Sequence, residues 1–182
     1  MTKTLDYELL VEKFNQGDES AFDRIVEGYS ADIAVLANRL LGWPGEVEDI
    51  VQDVLLAAFL GLKKFRCECS LKTWLFTITI NKCRSHRRKE LSLFRIKKDS
   101  GRNVIVSADD TLMNRETFDH IRRTVRALPV RYREPVVLHY LEELPVDEIS
   151  RILKISRNAV EVRLSRARNR LRGSLADLIE DK

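Results

Sequence analysis

The sequence predicts an all-α protein of two small helical domains joined by a flexible linker. Three observations carry that expectation. Apolar residues recur at intervals of three and four through most of the chain, strand-like alternation is nearly absent, and the helical period lapses once, over residues 93–113. The 182 residues suit one ordinary domain or two small ones. Seven Gly and four Pro are few, and 44% hydrophobic with 33% charged residues describes a globular chain rather than a disordered one.

The first stripe is Phe22, Ile25, Val26, Tyr29, Ile33, Leu36, Ala37 and Leu40, one apolar face of a long helix. Gly42-Trp43-Pro44-Gly45 breaks it. The next stripe is Val51, Val54, Leu55, Ala58, Phe59 and Leu62, and the acidic run from Glu46 to Asp49 suits that helix's positive amino end. Ser70 is placed to cap a third helix with Leu71, Trp74, Leu75 and Ile78 inward. Residues 93–113 read as a polar linker, with Val104-Ile105-Val106 as a brief strand or a docking segment. Helical spacing resumes at Phe118, Ile121, Val125 and Leu128 and stops at Pro129. A helix near residues 134–142 follows, with Pro135 expected in its first turn. Pro145 opens another turn.

Net charge is +4, but its distribution says more. Residues 82–98 hold eight Lys and Arg against Glu90, and residues 151–172 hold eight more against Glu161, which leaves the remainder acidic. Self-repulsion disfavours two such blocks on a chain without a partner. Nucleic acid compensates them, because each neutralised phosphate releases condensed counterions. Basic faces that merely keep helices soluble are the plainer alternative. The apolar stretch from Val54 to Leu62 is too short to cross a bilayer, the amino terminus lacks a secretory hydrophobic block, and three cysteines are too few to staple a secreted scaffold. A soluble cytoplasmic protein with reduced thiols is expected.

Residues 145–172 hold the strongest motif. A short helix with Val146, Ile149, Ile152 and Leu153 inward meets a turn at Lys154-Ile155-Ser156. Ser156 can cap a second helix with Val160, Leu164, Ala167 and Leu171 inward, the pattern of a helix-turn-helix. Arg157, Asn158, Glu161, Val162, Ser165 and Arg166 are left outside near the second helix's amino end, the part that enters a major groove. Arg suits guanine there and Asn adenine, while Glu161 can accept from a cytosine amino group or repel phosphate. Lys154 stands where such turns favour Gly.

These residues resemble a known family. Tyr140 to Ile149, Ile155 to Val160, and Arg163 to Arg168 are similar to the carboxy-terminal domain of extracytoplasmic-function (ECF) sigma factors, of the sigma-70 family, as is Leu128 to Glu134. Glu48-Asp49-Ile50-Val51-Gln52-Asp53-Val54 resembles the family's polymerase-binding helix, and Leu71 to Lys82 its promoter-melting, minus-ten-reading helix. The resemblance implies a dissociable initiation subunit of bacterial RNA polymerase, with residues 1–92 as region 2, 93–113 as linker and 114–182 as region 4. Region 2 would bind core polymerase and open the minus-ten element, and region 4 would read the duplex minus-thirty-five element. For polymerase the resemblance points to Asp49, Gln52 and Asp53, beside Leu56 and Leu60, which lie off the core stripe. For the minus-ten element it points to Lys64, Arg66, Ser70 and Lys72 in and after a base-capturing loop, and to Asn81, Lys82, Arg84, Ser85 and Arg88 on the helix. For the minus-thirty-five element it points to Ser156, Arg157, Asn158, Glu161, Val162, Ser165 and Arg166. An anti-sigma factor is the implied regulator, and the tether lets the two domains change relative placement. Cys67 and Cys69 depart from the family's pattern, standing where Gly and Ser are common.

Other chemistries fit less well. Cys67, Cys69, Cys83 and His86 supply zinc-ligand types, but a continuous helix puts Cys83 ~20 Å along its axis from the loop cysteines, so no metal or other cofactor is expected. A redox role for Cys67 and Cys69 stays open. Asp109-Asp110 has no partner His, the other acids read as solvated helix faces, and there is no Gly-rich phosphate loop, so the chain is not expected to be an enzyme. The rival reading is a helix-turn-helix repressor or activator that is not a polymerase subunit. That reading leaves the first basic helix unexplained.

Overall fold

The structure, a computed structural model, describes residues 2–41, 47–97 and 114–174. Among these described residues eight α-helices follow in order: α1 (Thr2–Asn15), α2 (Ser20–Leu41), α3 (Val47–Leu62), α4 (Leu71–Lys97), α5 (Asn114–Ala127), α6 (Val130–Val136), α7 (Val146–Leu153) and α8 (Arg157–Ser174), with a π turn at Val137–Leu141 after α6. No strand occurs among the described residues, and no helix there is long and apolar enough to cross a membrane. The 42–45 break, the 104–106 island, the 109–110 acid pair and the side chain of Phe118 lie outside what is described.

The first half is a bundle in which α2, α3 and α4 pack on one another and α1 lies on α2. Ile33, Leu36, Val54, Leu62, Leu75, Phe76 and Ile80 are fully buried between them. Each such side chain contributes ~1.5–3 kcal/mol by leaving water. Sequence periodicity does not assign α1. Its Leu10, Val11 and Phe14 are buried, and Phe14 meets Phe22 and Phe59 at 5.9 and 5.4 Å between ring centroids. Tyr7 lies so close to Gly28 that any larger residue there would collide with its ring. Phe59, expected in the core, is 36% exposed at the edge of this aromatic group, whereas Ile50, outside the predicted stripe, is buried.

Ser70 caps α4 as expected, its hydroxyl accepting the Thr73 backbone N–H at 3.1 Å. The helix then continues to Lys97, five residues beyond the boundary read from periodicity.

In the second half the helix expected near residues 134–142 begins earlier, at Val130, with Pro129 as its N-cap. Pro135 therefore lies in the helix's last turn rather than its first. Proline has no N–H for the bond to the carbonyl four residues back. The chain passes at once into the wider π turn, closed by the Glu142 N–H on the Val137 carbonyl at 3.0 Å. Tyr132, Val136, Val137 and Leu138 from this stretch join Ile149, Ile152, Val160 and Leu164 in the second core.

The two halves are packed together. Arg39 donates to the Leu141 carbonyl and to Glu142 at 2.6 and 2.7 Å. Arg133 and Arg87, from opposite halves, both donate to the Leu40 carbonyl near the end of α2, at 2.9 and 2.7 Å. Burial brings the Arg133 guanidinium down to about 10, still charged at neutral pH.

Candidate nucleic-acid and polymerase interfaces

The helix-turn-helix forms as the sequence predicts. Lys154 adopts the left-handed conformation, φ 55° and ψ 48°, that turns the chain between α7 and α8. The Ser156 hydroxyl accepts the Ala159 N–H at 3.2 Å and caps α8. With Val160, Leu164 and Ala167 buried, Arg157, Asn158, Glu161, Val162, Ser165 and Arg166 are all exposed on the opposite face. This face presents arginine and asparagine side chains, the donor types that base edges in a groove accept.

Arg157 is not loose on that surface. Its Nε donates to Glu161 at 3.2 Å, and its Nη1 donates to both Asp147 oxygens at 3.0 and 3.2 Å. Glu161 thus has a role not foreseen from sequence, as an acceptor for its own helix's arginine.

The α4 surface is less uniform. Asn81, Ser85 and Arg88 are exposed, and Lys64 and Arg66 are exposed in the loop before the helix. Asn81, Lys82 and Ser85 rim a cleft between α3 and α4 floored by Ile50 and Ile78. Lys82 reaches Asp53 across it at 3.4 Å. Lys72 pairs with Asp32 at 3.7 Å, and the Ser70 hydroxyl is occupied by its capping role and by the Thr73 hydroxyl at 2.8 Å. Trp74 is half-buried and packs on Phe65 at 5.0 Å, inside the bundle's edge. Cys67 has φ 54°, a conformation that favours glycine.

Arg84 stands apart. Its guanidinium grips Glu134 of α6 through two parallel bonds, Nε to Oε1 at 2.8 Å and Nη2 to Oε2 at 2.6 Å. The Glu134 side chain is 5% exposed, and this pairing holds the Arg84 charge firmly on. Thr73 likewise donates to Glu148 of α7 at 2.8 Å. The expectation that acids outside the motifs sit on solvated faces fails here, because Glu134 is buried and Glu142 is largely enclosed. Periodicity does not show it, since Glu134 is buried between two halves rather than within one helix face.

On α3, Asp49, Gln52 and Asp53 are exposed beside Leu56 and Leu60, which are 58% and 69% exposed. With Phe59 they make an apolar strip at helical spacing, rimmed by carboxylates. The cysteines are spread. Cys67 is exposed, while Cys83 is buried in the core, which pushes its thiol up to about 12. Among the described residues no three His, Cys, Asp or Glu side chains gather as a metal site.

The family model for Sigma-70 region 2 matches residues 25–92, and that for Sigma-70, region 4 matches residues 119–171. The chain is 30% identical to the ECF RNA polymerase sigma factor SigW of Bacillus subtilis (strain 168), over 92% of this chain and 96% of that protein. It is 27% identical to the ECF RNA polymerase sigma-E factor of Escherichia coli (strain K12), over 98% and 99%. Among solved structures, CnrH in complex with the cytosolic domain of CnrY superimposes with a TM-score of 0.68 at 25% identity, covering 97% of this chain and 99% of that one. The sigma factor RpoE in complex with the anti-sigma factor NepR from Bartonella quintana gives 0.68 at 26%, covering 85% and 96%. The outward polar face of a serine-capped α8, the basic α4 and the matches to both regions lead to one conclusion: the chain belongs to the ECF sigma factors of the sigma-70 family, and acts not as an enzyme but as a transcription initiation factor.

Proposed function

We propose that the three surfaces divide the work of initiation. The acid-rimmed strip of Leu56 and Leu60, with Asp49, Gln52 and Asp53, docks on core RNA polymerase. An apolar strip exposed this far on a helix that already buries its opposite side is best accounted for by a partner. The loop before α4, with Lys64 and Arg66, and the helix positions Asn81, Lys82, Ser85 and Arg88 hold the opened minus-ten strand, bases by pocket and stacking and phosphates by charge. The outer face of α8 reads the duplex minus-thirty-five element. The corresponding division of the chain is 1–92, 93–113 and 114–182. An anti-sigma factor is the proposed regulator, supported by the likeness to a sigma factor solved with one.

The observation that carries this reading is the exposed strip at Leu56 and Leu60, since a simple DNA-binding repressor has no use for it. The test is run-off transcription from a promoter library with bacterial core polymerase. Start-site selection is expected with the wild-type chain, and its loss with Leu56→Asp and Leu60→Asp combined. A chain that selects no start sites, yet binds promoter duplex tightly without core, would falsify the proposal in favour of a repressor.

A further inference from the structure

The Arg157 geometry carries an inference that rests on the reading of α8 as the duplex-reading helix. We propose that Asp147 and Glu161 are positioning residues that aim Arg157 at a guanine. The guanidinium has five N–H groups in a rigid fork. Glu161 takes Nε and Asp147 takes Nη1, from two different helices, whereas Nη2 has no acceptor among the described residues. Nη2 is therefore the part of the fork left to meet a base. Guanine N7 and O6 are the pair of major-groove acceptors that an arginine fork fits. Two carboxylates beside phosphates weaken general attraction to DNA, so they trade affinity for discrimination.

The test is enrichment of minus-thirty-five sequences by holoenzyme, core polymerase plus the full chain, from a randomised library. Wild type should prefer guanine at one position, and Arg157→Ala should abolish that preference. Asp147→Asn and Glu161→Gln should each relax it by about two- to fivefold at the same position, with binding to unrelated duplex tighter. Combined with Arg157→Ala they should add nothing there. Equal changes at all positions, or a cytosine preference lost elsewhere with Glu161→Gln, would overturn the proposal. A wild-type holoenzyme that enriches no sequence would instead overturn the reading of α8 itself.

A different observation carries a second inference. The structure assigns Glu134 as an internal competitor for an anion site at Arg84 that promoter DNA would otherwise occupy. Three carboxylates of the second half, Glu134, Glu142 and Glu148, engage Arg84, Arg39 and Thr73 of the first. A carboxylate offers a guanidinium the same two-oxygen edge as a phosphate. In the closed arrangement Arg84 is spent on Glu134, while its neighbours Asn81, Ser85 and Arg88 stay exposed. Opening exchanges one anion for another at Arg84, so DNA can displace the carboxylate without leaving the cation bare.

The full chain with Glu134→Gln should show a larger radius of gyration by X-ray scattering. It should also bind a single-stranded minus-ten oligonucleotide about tenfold more tightly without core, the gain expected from one charge-assisted contact. Arg39→Ala, which leaves both Arg84 and Glu134 in place, should open the halves and raise binding likewise, and serves if the first variant does not fold. Unchanged radius with unchanged binding, or opening without a gain in binding, would overturn the assignment. Neither outcome touches start-site selection by the wild-type holoenzyme.

Discussion

Helices α4 and α8 are alike in sequence and opposite in situation. Both are basic, both begin at a serine whose hydroxyl takes the backbone N–H three residues on, and both carry an arginine gripped by carboxylate. For α8 the carboxylates come from its own half and leave Arg157 exposed. For α4 the carboxylate comes from the other half, and the contact covers Arg84. The same charge-assisted bond thus holds one cation in the open and another under cover. What decides between the two is which side of a domain boundary the acid stands on.

Further measurements sharpen that contrast, taken from the largest expected effect downward. Truncating the inner face of α4 with Leu75→Ala, at a position with no exposure, should cost about 2–5 kcal/mol in denaturant unfolding. Val162→Ala on the outer face of α8 should leave the midpoint unchanged and weaken only duplex binding. The caps come next. Ser156→Ala should cost about 1 kcal/mol and act on the second half alone. Ser70→Ala should cost at least as much and also loosen the contact to Glu148, because Thr73 bonds both; hydrogen exchange along α7 reads the difference. Cys67 in the first half, and Glu143 and Lys154 in the second, adopt a glycine-favouring conformation, so Cys67→Gly and Lys154→Gly should each stabilise by about 1 kcal/mol.

At neutral pH the smallest effect concerns the thiols. Cys67 should be alkylated readily, Cys69 more slowly because burial raises its thiol, and Cys83 only on unfolding. The sign of the pH dependence follows from Cys83. Its folded thiol stays protonated up to about 12, above the unfolded value. Its contribution to stability is therefore complete below pH ~8.5 and declines as pH rises toward 12. Cys83→Ala should flatten that decline in denaturant titrations.

Much of the site was legible beforehand because it obeys helical period. Once Val160, Leu164 and Ala167 face inward, Arg157, Asn158, Glu161, Val162, Ser165 and Arg166 have nowhere to go but out. The same logic exposed Leu56 and Leu60 on α3. Two serine caps were readable from residue type, and a left-handed turn at Lys154 from the motif's demand for one. Where the period is weak the sequence says less: no clear stripe marks α1, and the helix before the π turn begins at Val130, four residues ahead of the Glu134 that spacing suggests.

The amino-acid order by itself determined the helices, their inner and outer faces and the basic character of α4 and α8, since these follow from neighbours three and four residues apart. Only tertiary structure decided that Glu134 lies against Arg84 and that Asp147 reaches Arg157. Those partners are 50 and 10 residues apart in the chain. No periodicity spans such distances, and an exposed carboxylate and a buried one are spelled with the same letter.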